Sequence, residues 1–357
     1  MDALVPVADG VEITSTAAWM RPRRARLGRM SARLQLERRL HLGTRYAASQ
    51  VVGRLPLPLA DALRRPVVAA PGARRRSAQD LLLGALRRAG IPSAAETFQL
   101  PDNEELSFVR ADSLVLQQLY WFGERGWEPE LLPWWRYFCT RSAAILELGA
   151  NVGYYTVQGA RAGPQARYVA VEPHPVSARV CEANLALNRI DSVQVIAAAA
   201  VSTADVGSVR LVIPWEQLAT PTVAFLDDGS ELPRRMADRT ASVLDVPAVD
   251  VRSLLDSVDL VKIDAEGQEH ALLQAAADHL RAARATVFVE VLPGTPRLRS
   301  LLVDLCGNAG YSCYVPVTGA LVRLEPERIP GVMLKDEYGG QDVILSAEPD
   351  LPDKVKE

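Results

Sequence analysis

Cysteine is scarce in this chain of 357 residues: Cys139, Cys181, Cys306 and Cys313 are all there is, with no C-x-x-C pair and no zinc-ligand spacing. That excludes a disulfide framework and a zinc finger and reads as reduced thiols in a cytoplasmic protein. No run of eighteen apolar residues occurs, so no membrane-spanning helix is expected. The first residues include Asp2, Asp9 and Glu12 and lack a basic start followed by an apolar stretch, which argues against a secretory signal. Lysine is nearly missing, with 36 Arg against 4 Lys. That bias fits GC-rich coding sequence and by itself says nothing about mechanism.

The net charge of −3 hides an asymmetry. Residues 1–90 carry 17 Arg and no Lys against 6 acids, whereas residues 91–357 carry 23 basic residues against 37 acids. Basic clusters at 21–26 and 74–76 leave three readings open: a solvated helical arm, docking onto the acidic remainder, or contact with nucleic acid. The last lacks the interleaved aromatics of a stacking platform.

The most informative stretch is Ile145 to Thr156, I-L-E-L-G-A-N-V-G-Y-Y-T. It reads as a buried strand, a glycine turn and a helix, followed by a second apolar run that ends on Glu172. Such a βαβ unit binds nucleosides: glycines let the backbone approach the ligand, and the terminal acid accepts hydrogen bonds from ribose hydroxyls. The spacing Gly149-x-x-x-Gly153 is not G-x-G-x-x-G, and Glu147 lies at the strand end. A carboxylate there would repel a pyrophosphate but suits an ammonium, which favours S-adenosylmethionine (SAM) over NAD.

Further strands are expected near 193–197, 259–263 and 286–291, beside those at 144–149 and 168–172, with helices near 152–162, 175–188 and 267–282. Glu147, Glu172, Asp264, Glu266 and Glu290 then gather at the carboxyl edge of one parallel sheet, where open α/β sheets bind ligands. An insert over 202–250 holds strand-like stretches at 209–214 and 242–250, with Trp215, Phe225 and Asp227-Asp228-Gly229 conspicuous in it. Segments 311–317 and 342–346 read as an antiparallel pair at the C-terminal sheet edge. Upstream, helical stretches are expected over 30–66 and 78–88, with a linker at 66–73.

These motifs resemble the FkbM family of SAM-dependent methyltransferases: E-L-G-A-N-V-G-Y-Y-T at 147–156, V-A-V-E-P-H-P at 169–175, N-L-A-L-N at 184–188, V-K-I-D-A-E-G-Q-E at 261–269 and V-F-V-E at 287–290. Trp121-Phe122-Gly123 and Trp127-Glu128-Pro129 resemble the aromatic lead-in of such proteins. Two departures are Glu147 where Asp is common and Gln268 where Ala is common. The resemblance spans roughly 105–347 and implies an α/β fold. Its Rossmann-like class I methyltransferase sheet is mostly parallel and twisted, with an antiparallel C-terminal edge pair and a helical N-terminal region in front. Residues 1–95 then form a basic accessory region and 96–357 the catalytic domain.

The resemblance also implies site roles. The Gly149–Gly153 turn, with Asn151, Tyr154 and Thr156, would hold the methionine part of SAM. Glu172 and Pro173 would take the ribose side, Ala199 and Ala200 the adenine, and Glu128 and Glu147 would complete the cofactor site. Asp264 and Glu266 would sit beside the methionine tail or the reacting methyl. A hydroxyl acceptor needs its proton removed. His270 is the candidate base nearest the reaction edge, His174 belongs to the adenosine side, and His41 and His279 look structural. Asp264, Glu266 and Glu290 leave Mg²⁺ open as an additional ligand. The expected activity is O-methylation of a hydroxylated small molecule: a specialised metabolite, polyketide or sugar. The alternative is a nucleic-acid methyltransferase using the basic N-terminal arm, although Asp264-Ala265-Glu266-Gly267 stands where an Asn/Asp-Pro-Pro-Tyr/Phe motif for amino-group methylation of a base would be. A non-catalytic SAM-binding partner and a homodimer stay open.

Overall fold

The computed structural model describes residues 54–69, 86, 90–92, 95–213, 219–227, 242–317, 319–348, 351, 352, 354 and 355. The expectations for 30–53, for most of 78–88 and for His41, Trp215, Asp228 and Gly229 lie outside these residues.

Helix α1 (Leu57–Ala69) precedes β1 (Thr97–Gln99) and β2 (Ser107–Val109), then α2 (Leu114–Phe122) and α3 (Leu132–Cys139). Strands and helices then alternate through β3 (Ala144–Leu148), α4 (Tyr154–Ala162), β4 (Arg167–Val171), α5 (Pro175–Leu187) and β5 (Val193–Ile196). The insert supplies β6 (Ala199–Val201), β7 (Ser208–Ile213), β8 (Phe225–Leu226) and β9 (Ser242–Asp250). The alternation resumes with β10 (Leu260–Ile263), α6 (Glu269–Ala283), β11 (Thr286–Glu290) and α7 (Pro296–Asn308). The last elements are β12 (Ser312–Val317), β13 (Ala320–Leu324), α8 (Leu334–Tyr338) and β14 (Asp342–Ser346).

Eight strands form the main sheet in the order β13-β12-β14-β11-β10-β3-β4-β5. The five from β11 to β5 are parallel, while β14, β12 and β13 are joined antiparallel. The fold is the expected mostly parallel α/β sheet, with one correction at its edge. Strands β12 and β14 do pair, but β14 lies inside the sheet against β11, and β13 takes the edge. A second sheet, β6-β9-β7-β8, is built from the insert. The linker expected at 66–73 also changes, because α1 runs past Pro66 to Ala69. Pro58 falls in the first turn, where its missing N–H would have had no partner, and Pro66 costs one ladder bond in the last turn.

The central strands are apolar because both faces are covered. On one face Trp135 and Phe138 of α3 pack edge-on against Phe288 of β11, at centroid distances of 5.2 and 5.6 Å. On the other, Leu146, Val261 and Val289 join Leu272 and Leu280 of α6 and Leu298 and Leu302 of α7. Two charged residues interrupt this core, Glu147 and Lys262, cross-strand neighbours only 1% and 2% exposed. The sheet reverses its build direction between β3 and β10, which opens a crevice at their carboxyl ends.

Candidate active site

That crevice is a cavity of about 460 Å³. Its floor is the carboxyl edge of β3, β4, β10 and β11. The lead-in segment (Val115, Trp127, Glu128, Glu130) walls one side, the insert (Leu211, residues 221–224, Leu226) another, and Lys335 with residues 339–342 the third.

The turn after β3 needs its glycine. Gly149 has φ +90°, and a Cβ there would lie 1.7 Å from the Asp264 carbonyl oxygen, so the β3 and β10 turns touch backbone to backbone. Gly153 (φ +80°) lies against α5, where a Cβ would meet Cys181 Sγ at 2.6 Å. Between them Asn151 takes φ +49°. Its N–H donates to Glu172 Oε2 at 2.8 Å, and its side-chain amide donates to the Pro221 carbonyl at 3.2 Å, which ties the insert to the turn. Glu172 Oε1 accepts the His174 N–H at 2.8 Å. Glu172 therefore holds the turn with one lone pair on each oxygen and keeps the others for a ligand. Asn151, Glu128 (φ +42°) and Glu266 (φ +47°) are left-handed non-glycine residues, and all three line the cavity. Such strain collects at ligand sites.

Beneath the turn, Glu147 Oε2 accepts hydrogen bonds from Tyr168 (2.6 Å) and Thr156 (2.8 Å). Lys262 Nζ donates to Asp264 Oδ2 at 2.8 Å and stands 4.9 Å from the Tyr155 ring centroid. Among the described lining residues there are eight carboxylates and two lysines, 262 and 335. Crowding of acids away from water disfavours their charged forms. Burial pushes Glu147 and Glu172 up to about 7 and Glu266 to about 8. Burial also raises Glu128 and Glu290, each reinforced by the Asp342 and Asp264 carboxylates. Asp342 is raised by burial as well, against the opposing pull of Lys262, while the surrounding carboxylates hold the Lys262 ammonium above its ordinary range despite burial. Among the described residues, two shielded cavity oxygens, Glu128 Oε2 and Glu290 Oε2, have no hydrogen-bond partner.

Of the expected site residues, the structure brings Glu128, Glu147, Gly149, Asn151, Tyr154, Glu172, Pro173, Ala199, Ala200, Asp264 and Glu266 to this one cavity. Three do not line it. Gly153 serves turn packing, Thr156 orients Glu147 from below, and His270 faces a shallow hollow beside Gln274 and Arg297. The placement of His270 has a local cause: Glu269 begins α6 and turns its carboxylate back onto the Ala265 and Gly267 N–H groups, each at 3.0 Å. The next side chain is thereby rotated away. His174 caps α5, its Nδ1 accepting from Ser177 N–H at 3.3 Å, and burial lowers it to about 4. No group of three or more His, Cys, Asp or Glu among the described residues is arranged to hold a metal ion. Lys262, Lys335, Gln341 and Asp342 were not anticipated. A lone lysine inside an otherwise apolar strand is the signal that could have found the first.

Residues 147–313 match the family model described as the methyltransferase FkbM domain. Over these residues the chain is similar to an FkbM methyltransferase domain. No curated protein matches the chain. Among solved structures, the methyltransferase FkbM from Methylobacillus flagellatus KT is 13% identical with a TM-score of 0.36, covering 57% of this chain and 43% of that one. The chain thus spans less than half of that protein. An O-methyltransferase from Bacillus cereus in complex with SAH is 14% identical, TM-score 0.35, covering 64% and 82%. TomG, an O-methyltransferase from Streptomyces achromogenes involved in tomaymycin synthesis, solved with SAM, is 14% identical, TM-score 0.33, covering 64% and 79%. Likeness at this level carries no argument about substrate. No helix among the described residues is long and apolar enough to cross a membrane.

Proposed function

We propose that this FkbM domain transfers the methyl group of SAM to a hydroxyl of a small molecule, with residues 1–95 as an accessory region and 96–357 as the catalytic one. The observation that carries the reading is the charge of the cavity: carboxylates outnumber lysines beside the glycine turn, and Glu128 Oε2 is shielded and unpartnered. A pyrophosphate would meet repulsion there, whereas a ligand bearing an ammonium and a sulfonium relieves it.

Bound SAM supplies a methyl on an excellent leaving group. The chain's own task is then mainly alignment. In this reading Gly149 and Asn151 hold the methionine part with their backbone, and Glu128 takes its ammonium. Glu172 receives the ribose hydroxyls on its spare lone pairs, and Pro173 with Ala199 and Ala200 packs on the adenine. Lys262 fixes Asp264 at the junction of the two turns. The lead-in segment and the insert shield the reacting atoms from water.

Calorimetric titration with SAM, its product S-adenosylhomocysteine (SAH) and NAD tests the cofactor. Micromolar binding of the first two is expected, and heat from NAD alone would overturn the reading. Methyl-labelled SAM is then offered with a panel of monosaccharides and phenols. Label found only in RNA or DNA would sink the small-molecule assignment.

A further inference from the structure

We infer that Glu290 is the general base that takes the proton from the acceptor hydroxyl. The inference deepens the proposed function and rests on it. It begins with elimination among the described residues that line the cavity. No histidine or cysteine is among them, and burial holds the Tyr154 and Tyr155 hydroxyls well above their ordinary range. Glu147 is engaged by two hydroxyls, Glu172 by two backbone N–H groups and Asp264 by Lys262. Among the described residues, Glu130, Glu266 and Asp342 make no side-chain hydrogen bond that would orient them.

Two carboxylates keep a shielded, unpartnered oxygen in the cavity, Glu128 and Glu290. SAM carries one ammonium. Glu128 meets Tyr155 and Lys262 beside the glycine turn, on the cofactor side. Glu290 ends β11, one strand further along. Ile263 pairs with Val289, so Glu290 follows directly beside Asp264. Its Oε1 accepts from Gln341 Nε2 at 3.0 Å. That bond fixes the carboxylate plane and leaves Oε2 as the free, oriented oxygen. The groups that face Glu290 are Asp264, Glu266 and Glu269 from the β10–α6 turn and Gln341 and Asp342 at the start of β14. A carboxylate among carboxylates holds protons well, which is the property a base for a hydroxyl needs.

In the transfer, Glu290 Oε2 receives the hydroxyl proton while the acceptor oxygen's electron pair forms the bond to the methyl carbon. The electrons of the methyl–sulfur bond remain on sulfur, giving the neutral thioether. The base must therefore be ionised once the methyl donor is bound. SAM and SAH differ by the methyl group and the sulfonium charge it carries, so that charge is what frees Glu290 of its proton.

Calorimetry of the full chain near pH 8 in phosphate and in Tris, buffers of different ionisation enthalpy, counts the protons released by each ligand. SAM binding is expected to release up to about one proton more than SAH binding. Glu290→Gln should abolish this excess with SAH affinity and melting temperature unchanged. Glu290→Asp, a second variant with the carboxylate retained, should restore part of the excess. Equal release by the two ligands, or an excess that survives Glu290→Gln, overturns the assignment. Loss of SAH binding in Glu290→Gln also overturns it, by moving Glu290 to the cofactor side. If neither ligand binds the unmodified chain, the cofactor reading itself falls, a failure visible before any variant is made.

Discussion

Lys262→Met keeps the length of the side chain and deletes the ammonium from the cavity floor. The Lys262 side chain is 2% exposed and that of its partner Asp264 28% exposed, with 2.8 Å between Nζ and Oδ2. Breaking a buried pair by removing one member costs about 3–5 kcal/mol, because the other charge is left unpaired. Asp264 retains some water contact, so the lower end applies: about 3 kcal/mol, or roughly 6–12 °C in melting temperature at 2–4 °C per kcal/mol. The loss should also depend on pH. Without the ammonium, the folded-state pKa values of Glu128, Glu147 and Asp342 rise further, while those of the unfolded chain stay put. The folded state then binds extra protons, so the deficit is smaller near pH 6 than near pH 8. Thermal unfolding at both pH values, for Lys262→Met, Asp264→Asn and the double variant, measures this. The double variant should be more stable than the sum of the single losses predicts. A loss below about 1 kcal/mol, the level of an exposed ion pair, or one equal at both pH values, would refute the reasoning.

Gly149→Ala should abolish SAH binding and cost several kcal/mol, because its Cβ would meet the Asp264 carbonyl at 1.7 Å, whereas Gly267→Ala, with no atom within 4 Å, should cost only about 1–2 kcal/mol for its positive φ. Chemical denaturation and calorimetry of the two variants check the contrast, and equal losses would contradict it. The unmodified, ligand-free chain should melt lower at pH 8.5 than at pH 5.5. Glu147 and Glu172 titrate at about 7 and Glu266 at about 8, against an ordinary value of 4.5, so folding holds protons that the unfolded chain has lost, and stability declines as pH rises through that window. A midpoint that climbs over the same range would count against the buried acid cluster. His270→Ala should leave SAH affinity and methyl transfer unchanged, and a large loss of transfer would return that imidazole to the chemistry.

The sheet was legible because strands buried on both faces read as continuous apolar runs, as in Ala144–Leu148 and Thr286–Glu290. Strand β13 was missed because A-L-V-R-L is half-exposed and carries Arg323, so it shows neither a clean run nor a clean alternation. The acids at the carboxyl edge were legible from strand order. Asp342, Gln341 and Lys335 were not, since they reach the cavity only because β14 inserts between β11 and β12, a pairing that no local pattern encodes. The direction of His270 was not legible for the opposite reason. Its distance along the chain from Glu266 is short, but the helix start at Glu269 sets its direction.

Two of the four lysines in a chain with 36 arginines line one cavity. Where codon composition presses basic positions towards arginine, a lysine kept inside a buried strand marks a place that the guanidinium would fill poorly. Lys262 shows why. Its ammonium must fit as a compact point charge between the Tyr155 ring and Asp264, where a planar five-donor fork would leave hydrogens unsatisfied. Compositional bias thus acts as a background against which the rare member of a chemically similar pair becomes a site marker. The same filter can be applied to any arginine-saturated sequence before a structure exists.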